Sequence, residues 1–392
     1  MQNSEQTWPD DAWLPKASLM RVVAAIIAQE VAANRRQDVH QLRPDLWDEG
    51  AQLLEEGLAL DSLERMNCAS ALNRFFHLSD YGAEDYLLGA QTLGDWAYVV
   101  AVSIANGSQQ LTFQTSGTTG TPKLCTHRVS DLMEETKAWA AHFAGAESIV
   151  AMVSPQHIYG FIWTVLLPQC LGAEVVDARF LAVAKIKALF EARAALAVAS
   201  PPYWQYLARS GLAFPGSLRA VTSTAPISPD LVQQLKAQGL YHLTHIYGSS
   251  ETGGVGWRQE PDTAYQLLPY WHLCEGRRAT ALARTDGRTA PLMDRLAVYE
   301  DGRFDVLGRR DGAVQVGGLN VHPSRIEDVL RTSSVVKECC VHLCEQSQRL
   351  TAEIVPRENA NARDVEAQLR AFCLDALPPA ERPASYRLIH QP

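Results

Sequence analysis

The stretch "QTSGTTGTPKLCTH", residues 114–127, decides how the chain is read. Between Thr115 and Lys123 it sets hydroxyls at Thr115, Ser116, Thr118, Thr119 and Thr121 around Gly117 and Gly120, then Pro122 and the lysine. Glycines permit positive φ and close backbone approach to an anion, and hydroxyls donate to phosphate oxygens. Lys123 adds a point charge suited to a polyphosphate. The spacing is not that of a Walker loop, because Thr121 and Pro122 separate Gly120 from the lysine. "QQLTFQ" just before it reads as a strand.

Outward from this loop the texture is that of an α/β protein. "SIVAMVS", "GAEVVDA", "ALAVASP", "LRAVTSTA" and "LTHIYG" are strand candidates. They alternate with helix candidates "VSDLMEETKAWAAHFAG", "LAVAKIKALFEARA" and "SPDLVQQLKAQG". Such alternation predicts a parallel sheet with helices on its faces. Residues 319–392 read as a small α+β unit. Upstream, "SLMRVVAAIIAQEVAANRR" predicts a helix capped by Ser18. "LDSLERMNCASALNRFF" predicts a second, with Leu63, Met66, Ser70 and residues 72–76 on its inner stripe, and "TLGDWAYVVAVSI" a third. The polar break "ANGSQQ" at 105–110 divides this helical part from the sheet.

Composition narrows the function classes. With 392 residues, 47% hydrophobic and 20% charged, the chain has the make-up of a globular enzyme of two or three domains. A net charge of −9 without a basic run argues against nucleic acid as a partner. Eight scattered cysteines form no CxxC pair and read as free thiols. The polar N-terminus is not a signal peptide, and "FIWTVLLPQCLGA" is too short to span a bilayer. The expectation is a cytoplasmic protein without a transmembrane segment.

The loop resembles the phosphate loop of the adenylate-forming enzymes, which include acyl-CoA and aryl-CoA ligases and the adenylation domains of peptide synthetases. "YGSSET", residues 247–252, resembles that family's YGxTE signature, with Ser250 where threonine is usual. The resemblance implies that Tyr247 lies against adenine and that Glu251 ligates Mg²⁺, as a hard oxygen donor can. "MDRLAVYEDGRFDVLGRRDG" resembles the TGD…GRxD block. It implies that Asp294 holds the ribose hydroxyls, that Arg309 lies close to ribose and phosphate, and that Asp311 is the hinge of a mobile C-terminal domain. Gly317 and Gly318 fall where that domain nears the thioester site. "SPQHIYGF", residues 154–161, resembles the block whose histidine or aromatic residue gates the acyl pocket, which makes His157 the candidate gate and an aromatic acid the candidate substrate. In "SLRAVTSTAPIS", Ser223-Thr224 replaces the family's diglycine, which implies a narrower or differently shaped pocket. The segment between Glu251 and Asp294 is compressed, and the family's α/β structure ahead of the phosphate loop is largely absent. The family ends in a lysine loop that reaches the α-phosphate, and "RPASYRLIHQP" resembles the strand just before it.

Asp61-Ser62-Leu63 opening a helix, with "TLGDWAYVV" after it, resembles an acyl or peptidyl carrier protein. That resemblance implies a phosphopantetheine arm on Ser62, at a helix N-terminus where a phosphate is favoured. The expected organisation is an all-helical carrier-like domain at 13–105, a shortened adenylate-forming core at 106–310 and a small C-terminal domain at 311–392. The expected activity is ATP- and Mg²⁺-dependent activation of a small carboxylic acid, with transfer to the thiol of CoA or of a carrier phosphopantetheine. Lys123, Glu251 and His157 are the candidate catalytic residues. Thr115, Ser116, Gly117, Thr118, Thr119, Gly120, Tyr247, Ser250, Asp294 and Arg309 are the candidate nucleotide-binding ones. The alternative is a weakened carrier or docking protein that binds nucleotide or a partner synthase.

Overall fold

The computed structural model describes residues 7–54, 57–115, 123–192, 194–262, 264–274, 279–317, 319–344, 347–357 and 364–389. The expected phosphate-loop residues Ser116, Gly117, Thr118, Thr119 and Gly120 lie outside the described residues, as does Gly318.

Strands β1 (Gln110–Thr115) and β2 (Lys123–Arg128) form an antiparallel hairpin with Thr115 opposite Lys123. The two residues flanking the expected phosphate loop are therefore cross-strand neighbours, roughly 5 Å apart at Cα. Next come β3 (Ser148–Ala151), β4 (Glu174–Asp177), β5 (Ala195–Ala199), β6 (Arg219–Thr222) and β7 (His242–Ser249). These five run parallel, and β8 (Gly253–Gln259) and β9 (Gln266–Leu267) add antiparallel, in the order β4-β3-β5-β6-β7-β8-β9. Strands buried on both faces read as continuous apolar runs, and "ALAVA" of β5 is buried throughout. Side-chain alternation then sorts one strand into two cores. Leu196 and Val198 join the N-terminal helices, whereas Ala195, Ala197 and Ala199 join the helices Val183–Ala192, Pro201–Arg209 and Pro229–Ala237.

Helices Lys16–Arg35, Ser62–Phe76 and Leu93–Ala105 make up the N-terminal part. The last two open with capping boxes, Asp61 with Glu64 and Thr92 with Asp95. Three expectations are corrected here. The first helix starts at Lys16 with Pro15 at its N-cap, so Ser18 is interior. Leu63 and Met66 are 66% and 58% exposed, and Ser70 is exposed too. Of the expected stripe, Leu72, Phe75 and Phe76 do face inward, joined by Cys68. Finally, residues 13–105 do not close a core of their own. Phe75 packs edge-on against Phe113 of β1 at 5.2 Å and against Phe161 at 5.9 Å, and one cluster runs from Leu14 to Phe304. The polar break at 105–110 joins two parts of a common core.

Lys16–Arg35 is long and apolar enough to cross a membrane by length and composition. In the fold it is a core helix, with Leu19, Val22, Val23, Ile26 and Ile27 buried.

Beyond the sheet, β10 (Trp271–Leu273), β11 (Ala281–Arg284) and β12 (Thr289–Pro291) form a small antiparallel sheet, and β13 (Asp294–Val298) and β14 (Phe304–Arg309) form a hairpin. The C-terminal part holds the hairpin β15 (Val314–Val316) and β16 (Leu319–Val321), and the sheet β17 (Val336–Cys344), β18 (Arg349–Pro356), β19 (Ser385–Leu388). Helices Pro323–Arg331 and Val365–Ala376 accompany them, around a separate core that includes Ile326, Val336, Ile354 and Leu369.

Candidate active site

In an open parallel sheet, ligands bind at the carboxyl ends of the strands. At that edge β7 runs out into Tyr247, Ser249, Ser250 and Glu251 before β8 returns. Gly248 allows the return, since a Cβ there would meet Gly253 O at 2.3 Å. Ser249 Oγ and Thr252 Oγ1 lie 3.0 Å apart, and Thr252 N donates to Ser249 Oγ at 3.3 Å, tying the turn.

Glu251 meets Lys123 there, Nζ donating to Oε1 at 2.5 Å. The first residue of β2 and one 128 positions later thus form an ion pair. Burial would push the Glu251 carboxyl up, but hydrogen bonds from Lys123, from its own backbone and from Ser249 outweigh it, and the pKa is lowered. The Lys123 ammonium is raised, chiefly by its bond to Glu251. Both are charged at neutral pH. Next to them, His127 Nε2 donates to Ser250 O at 2.6 Å, which fastens β2 to the Tyr247–Glu251 segment. Burial lowers the His127 pKa, so the ring is neutral at pH 7. His127 closes the quoted stretch, but nothing in its local sequence marks its bond to a residue 123 positions away.

Tyr247 OH donates to Asp294 Oδ2 at 2.6 Å. Burial, reinforced by the Asp294 charge, raises the phenol far above its ordinary range. Its ring packs against Tyr265 and Phe304 at 5.8 and 5.6 Å. Asp294 and Arg309 face each other across the β13–β14 hairpin. Arg309 makes a bidentate pair with Asp311, at 2.9 and 2.6 Å. That pair holds the Asp311 carboxyl down to about 2 and raises Arg309, which also feels Asp294 and Glu251. Lys123, Glu251, Tyr247, Asp294 and Arg309 therefore form one electrostatically coupled group. Asp311 is tied to this cluster through Arg309.

His157 stands apart from these pairs. It caps the short helix Ile158–Phe161 beyond the end of β3, with its backbone O accepting from Phe161 N at 2.7 Å. Its side chain reaches solvent, yet crowding by neighbouring atoms, followed by the Arg179 charge, lowers its pKa. Along the same sheet edge, Arg179, Phe180, Ser200, Tyr203 and Tyr206 line a hollow of about 510 Å³. A polar cavity of about 460 Å³ touches Glu251 and includes His127, Asp131, Glu135, Arg284 and Arg288. Ser62 is exposed at the first turn of its helix, behind the Asp61 cap.

The turn after β6 was expected to shape the pocket. Ser223 Oγ donates to Ile246 O at 3.0 Å, and His245 Nε2 lies 3.2 Å from Ala225 O. His245 also lies 3.0 Å from Glu260 Oε1, and Arg258 Nε donates to the same oxygen at 2.8 Å. These groups lie on separate strands and turns, so no local sequence pattern marks them as a set.

The AMP-binding enzyme family matches residues 100–272. A 4-coumarate–CoA ligase from Halorhodospira halophila is 34% identical over 377 residues, covering 94% of this chain and 95% of that protein. A 4-coumarate–CoA ligase from Rhodobacter capsulatus is 35% identical over 378 residues, covering 93% of this chain and 96% of that protein. A solved structure of o-succinylbenzoate CoA synthetase from Bacillus subtilis aligns over 95% of this chain and 89% of its own, with a TM-score of 0.57 at 16% identity, a likeness of fold. At such coverage, most of the N-terminal helical part lies inside what the chain shares with these ligases.

Proposed function

The chain belongs to the AMP-binding, adenylate-forming ligase family, and on that premise we propose that its acid is an arylpropenoic acid of the 4-coumarate type, made into a thioester of CoA. AMP-forming acid–CoA ligation is the family's activity here. The acid's carboxylate oxygen bonds to the α-phosphorus of ATP as the bond to the β-phosphate oxygen breaks, which releases pyrophosphate. The CoA sulfur then bonds to the acyl carbon, AMP leaves and the thiol proton is lost.

Roles follow from chemistry. Glu251 is an ionised carboxylate beside the phosphate-loop lysine, and a hard oxygen donor there fits Mg²⁺, which offsets phosphate charge when bound. Lys123 and residues 115–120 hold the outer phosphates. The Tyr247 ring offers a face to adenine, Asp294 accepts from ribose hydroxyls, and Arg309 lies toward ribose and phosphate. Ser250 keeps the strand end in place through its carbonyl bond to His127. His157, beyond the end of β3, is the proposed gate of the acid site.

The observation that carries the reading is the meeting of Lys123 and Glu251 at the carboxyl edge of the sheet. The names of the relatives support the arylpropenoic acid. Free CoA is the proposed acceptor, in place of a phosphopantetheine on Ser62, because the helix bearing Ser62 shares the ligase core through Phe75 and Phe76. The test is to incubate the purified protein with ATP, Mg²⁺, CoA and 4-coumaric acid and follow thioester absorbance and AMP release. Thioester is expected, with no mass gain on Ser62 under a phosphopantetheinyl transferase. Absence of thioester with 4-coumaric, cinnamic and benzoic acids alike would sink the reading.

A further inference from the structure

Glu251 stands in the middle of a tight return. Ser249 pairs with Gly253 across β7 and β8, so Ser250, Glu251 and Thr252 form the loop between them. Gly253, with φ +71°, lets the chain turn back. The outgoing limb is held by His127 at Ser250 O, and Ser249 and Thr252 are tied side chain to side chain. The returning limb is held by a carboxyl from another element.

That carboxyl is Glu135, on the helix Val129–His142 that follows β2. It is 3% exposed and lies against the first two residues of β8. A register shift between Tyr247 and Gly248 interrupts the β7–β8 ladder here, and Glu135 supplies the acceptor. Gly254 N donates to Glu135 Oε2 at 2.9 Å, and Trp139 Nε1 donates to Oε1 at 3.2 Å. The contact is close: a Cβ on Gly253 would meet Oε2 at 2.6 Å, and one on Gly254 would meet Oε1 at 2.4 Å. Gly254 O accepts in turn from Tyr270 OH at 2.9 Å and Trp271 Nε1 at 2.8 Å. Both backbone polar groups of Gly254 are thus fixed, just past Glu251. Glu135 and Glu251 also border the same polar cavity.

We infer that Glu135 is a positioning residue for Glu251: its carboxyl grips Gly254 N and holds the returning limb, so that the Glu251 carboxylate stays where Lys123 and Mg²⁺ can meet it. This rests on the ligase reading above, in which Glu251 takes Mg²⁺. Burying a carboxyl is costly, and a group one step behind a metal ligand is where such a cost bears on function.

The test compares wild type, Glu135→Ala, Glu135→Gln and Gly254→Ala by calorimetric titration of ATP at stepped Mg²⁺ concentrations, with pyrophosphate exchange and thermal midpoints in parallel. Glu135→Ala should raise the Mg²⁺ concentration for half-maximal ATP binding about tenfold, as for other groups that orient a metal ligand. Glu135→Gln keeps an acceptor for Gly254 N and should stay within about threefold of wild type. Gly254→Ala drives a Cβ into the carboxyl and should raise the Mg²⁺ requirement alone, but not further when combined with Glu135→Ala. A lowered midpoint in Glu135→Ala with the Mg²⁺ requirement unchanged overturns the inference, since a purely structural residue moves only the midpoint. Should Glu135→Ala not fold, Gly254→Ala decides, and an unchanged requirement there overturns it equally. A wild type that binds ATP with Mg²⁺ but activates no acid defeats the arylpropenoic reading alone, and the titrations still decide on Glu135. A wild type whose ATP binding ignores Mg²⁺ defeats the role of Glu251, and the inference falls with it.

Discussion

The carboxyl edge of the large sheet and the N-terminal helical layer share a core but are held by different forces. At the edge, order comes from charged and polar pairs: Lys123 with Glu251, Tyr247 with Asp294, Arg309 with Asp311, His127 with Ser250 O. In the helical layer it comes from apolar volume: Leu19, Ile27, Phe76 and Trp96 are fully buried. Each such side chain contributes about 1.5–3 kcal/mol by leaving water. Lys123 and Glu251 remain partly exposed, so their pairing contributes about 0–1 kcal/mol to stability. Groups that stabilise little are therefore concentrated at the proposed ligand edge, and the scaffold that positions them is apolar.

Three experiments would break or sharpen this contrast. The largest effect is expected from Phe76→Ala. It should lower unfolding stability by about 3–5 kcal/mol in denaturant titrations. Activity at a temperature well below the midpoint should stay within about twofold of wild type, since the residue is remote from the ion pairs. A large activity loss in a still-folded protein would show that the helical layer is not a passive support.

Glu251→Gln should do the reverse. Pyrophosphate exchange should fall by about 10²–10³-fold, the scale of removing one preorganised electrostatic partner. The unfolding midpoint should move by less than about 1 kcal/mol equivalent. Because the Glu251 pKa is lowered, activity should hold as pH falls from 7 to the ordinary glutamate range and drop only below it. Activity lost already between pH 7 and 6 would exclude Glu251 as the titrating group.

The smallest effect concerns the other carboxylate at this turn. Glu135 is buried; it accepts from Gly254 N at 2.9 Å and Trp139 Nε1 at 3.2 Å, and burial raises its pKa despite those bonds. A carboxyl that holds its proton more tightly in the folded than in the unfolded state adds stability as pH falls through the interval between the two pKa values. Wild type should therefore gain on Glu135→Gln when denaturant midpoints are compared at pH 7 and pH 5. Parallel midpoints in the two proteins would contradict the direction of that shift.

Local regularities were legible because local forces set them. Short apolar runs alternating with helical patterns marked β3 to β7, and Asp61 ahead of Ser62 marked one helix start. The polar string 114–127 marked a turn after a strand, and the structure adds the second strand, with Thr115 opposite Lys123. Where periodicity had to be assigned a facing, it failed. Leu63 and Met66 fit the inner stripe of a free-standing helix, but Phe113 and Phe161 draw Phe75 inward and leave those two outside. The same contact dissolves the expected boundary at 105–106.

For the site, the resemblance of "YGSSET" and "MDRLAVYEDGRFDVLGRRDG" to the family's motifs pointed to Glu251, Asp294 and Arg309, whose chemistry fits those roles without singling them out. Their association belongs to the tertiary structure. Lys123 and Glu251 lie 128 residues apart, and only the pairing of β7 with β8, with β2 held by His127, brings them together. The left-handed Thr224, an improbable choice from sequence, exists because contacts on both flanking residues hold it there. Sequence by itself determined which segments are strands, helices and polar turns, because backbone propensity and side-chain alternation act over a few residues. Tertiary structure decided which faces are buried, which charges pair and where strain is kept, because those depend on groups that meet only when the chain has closed.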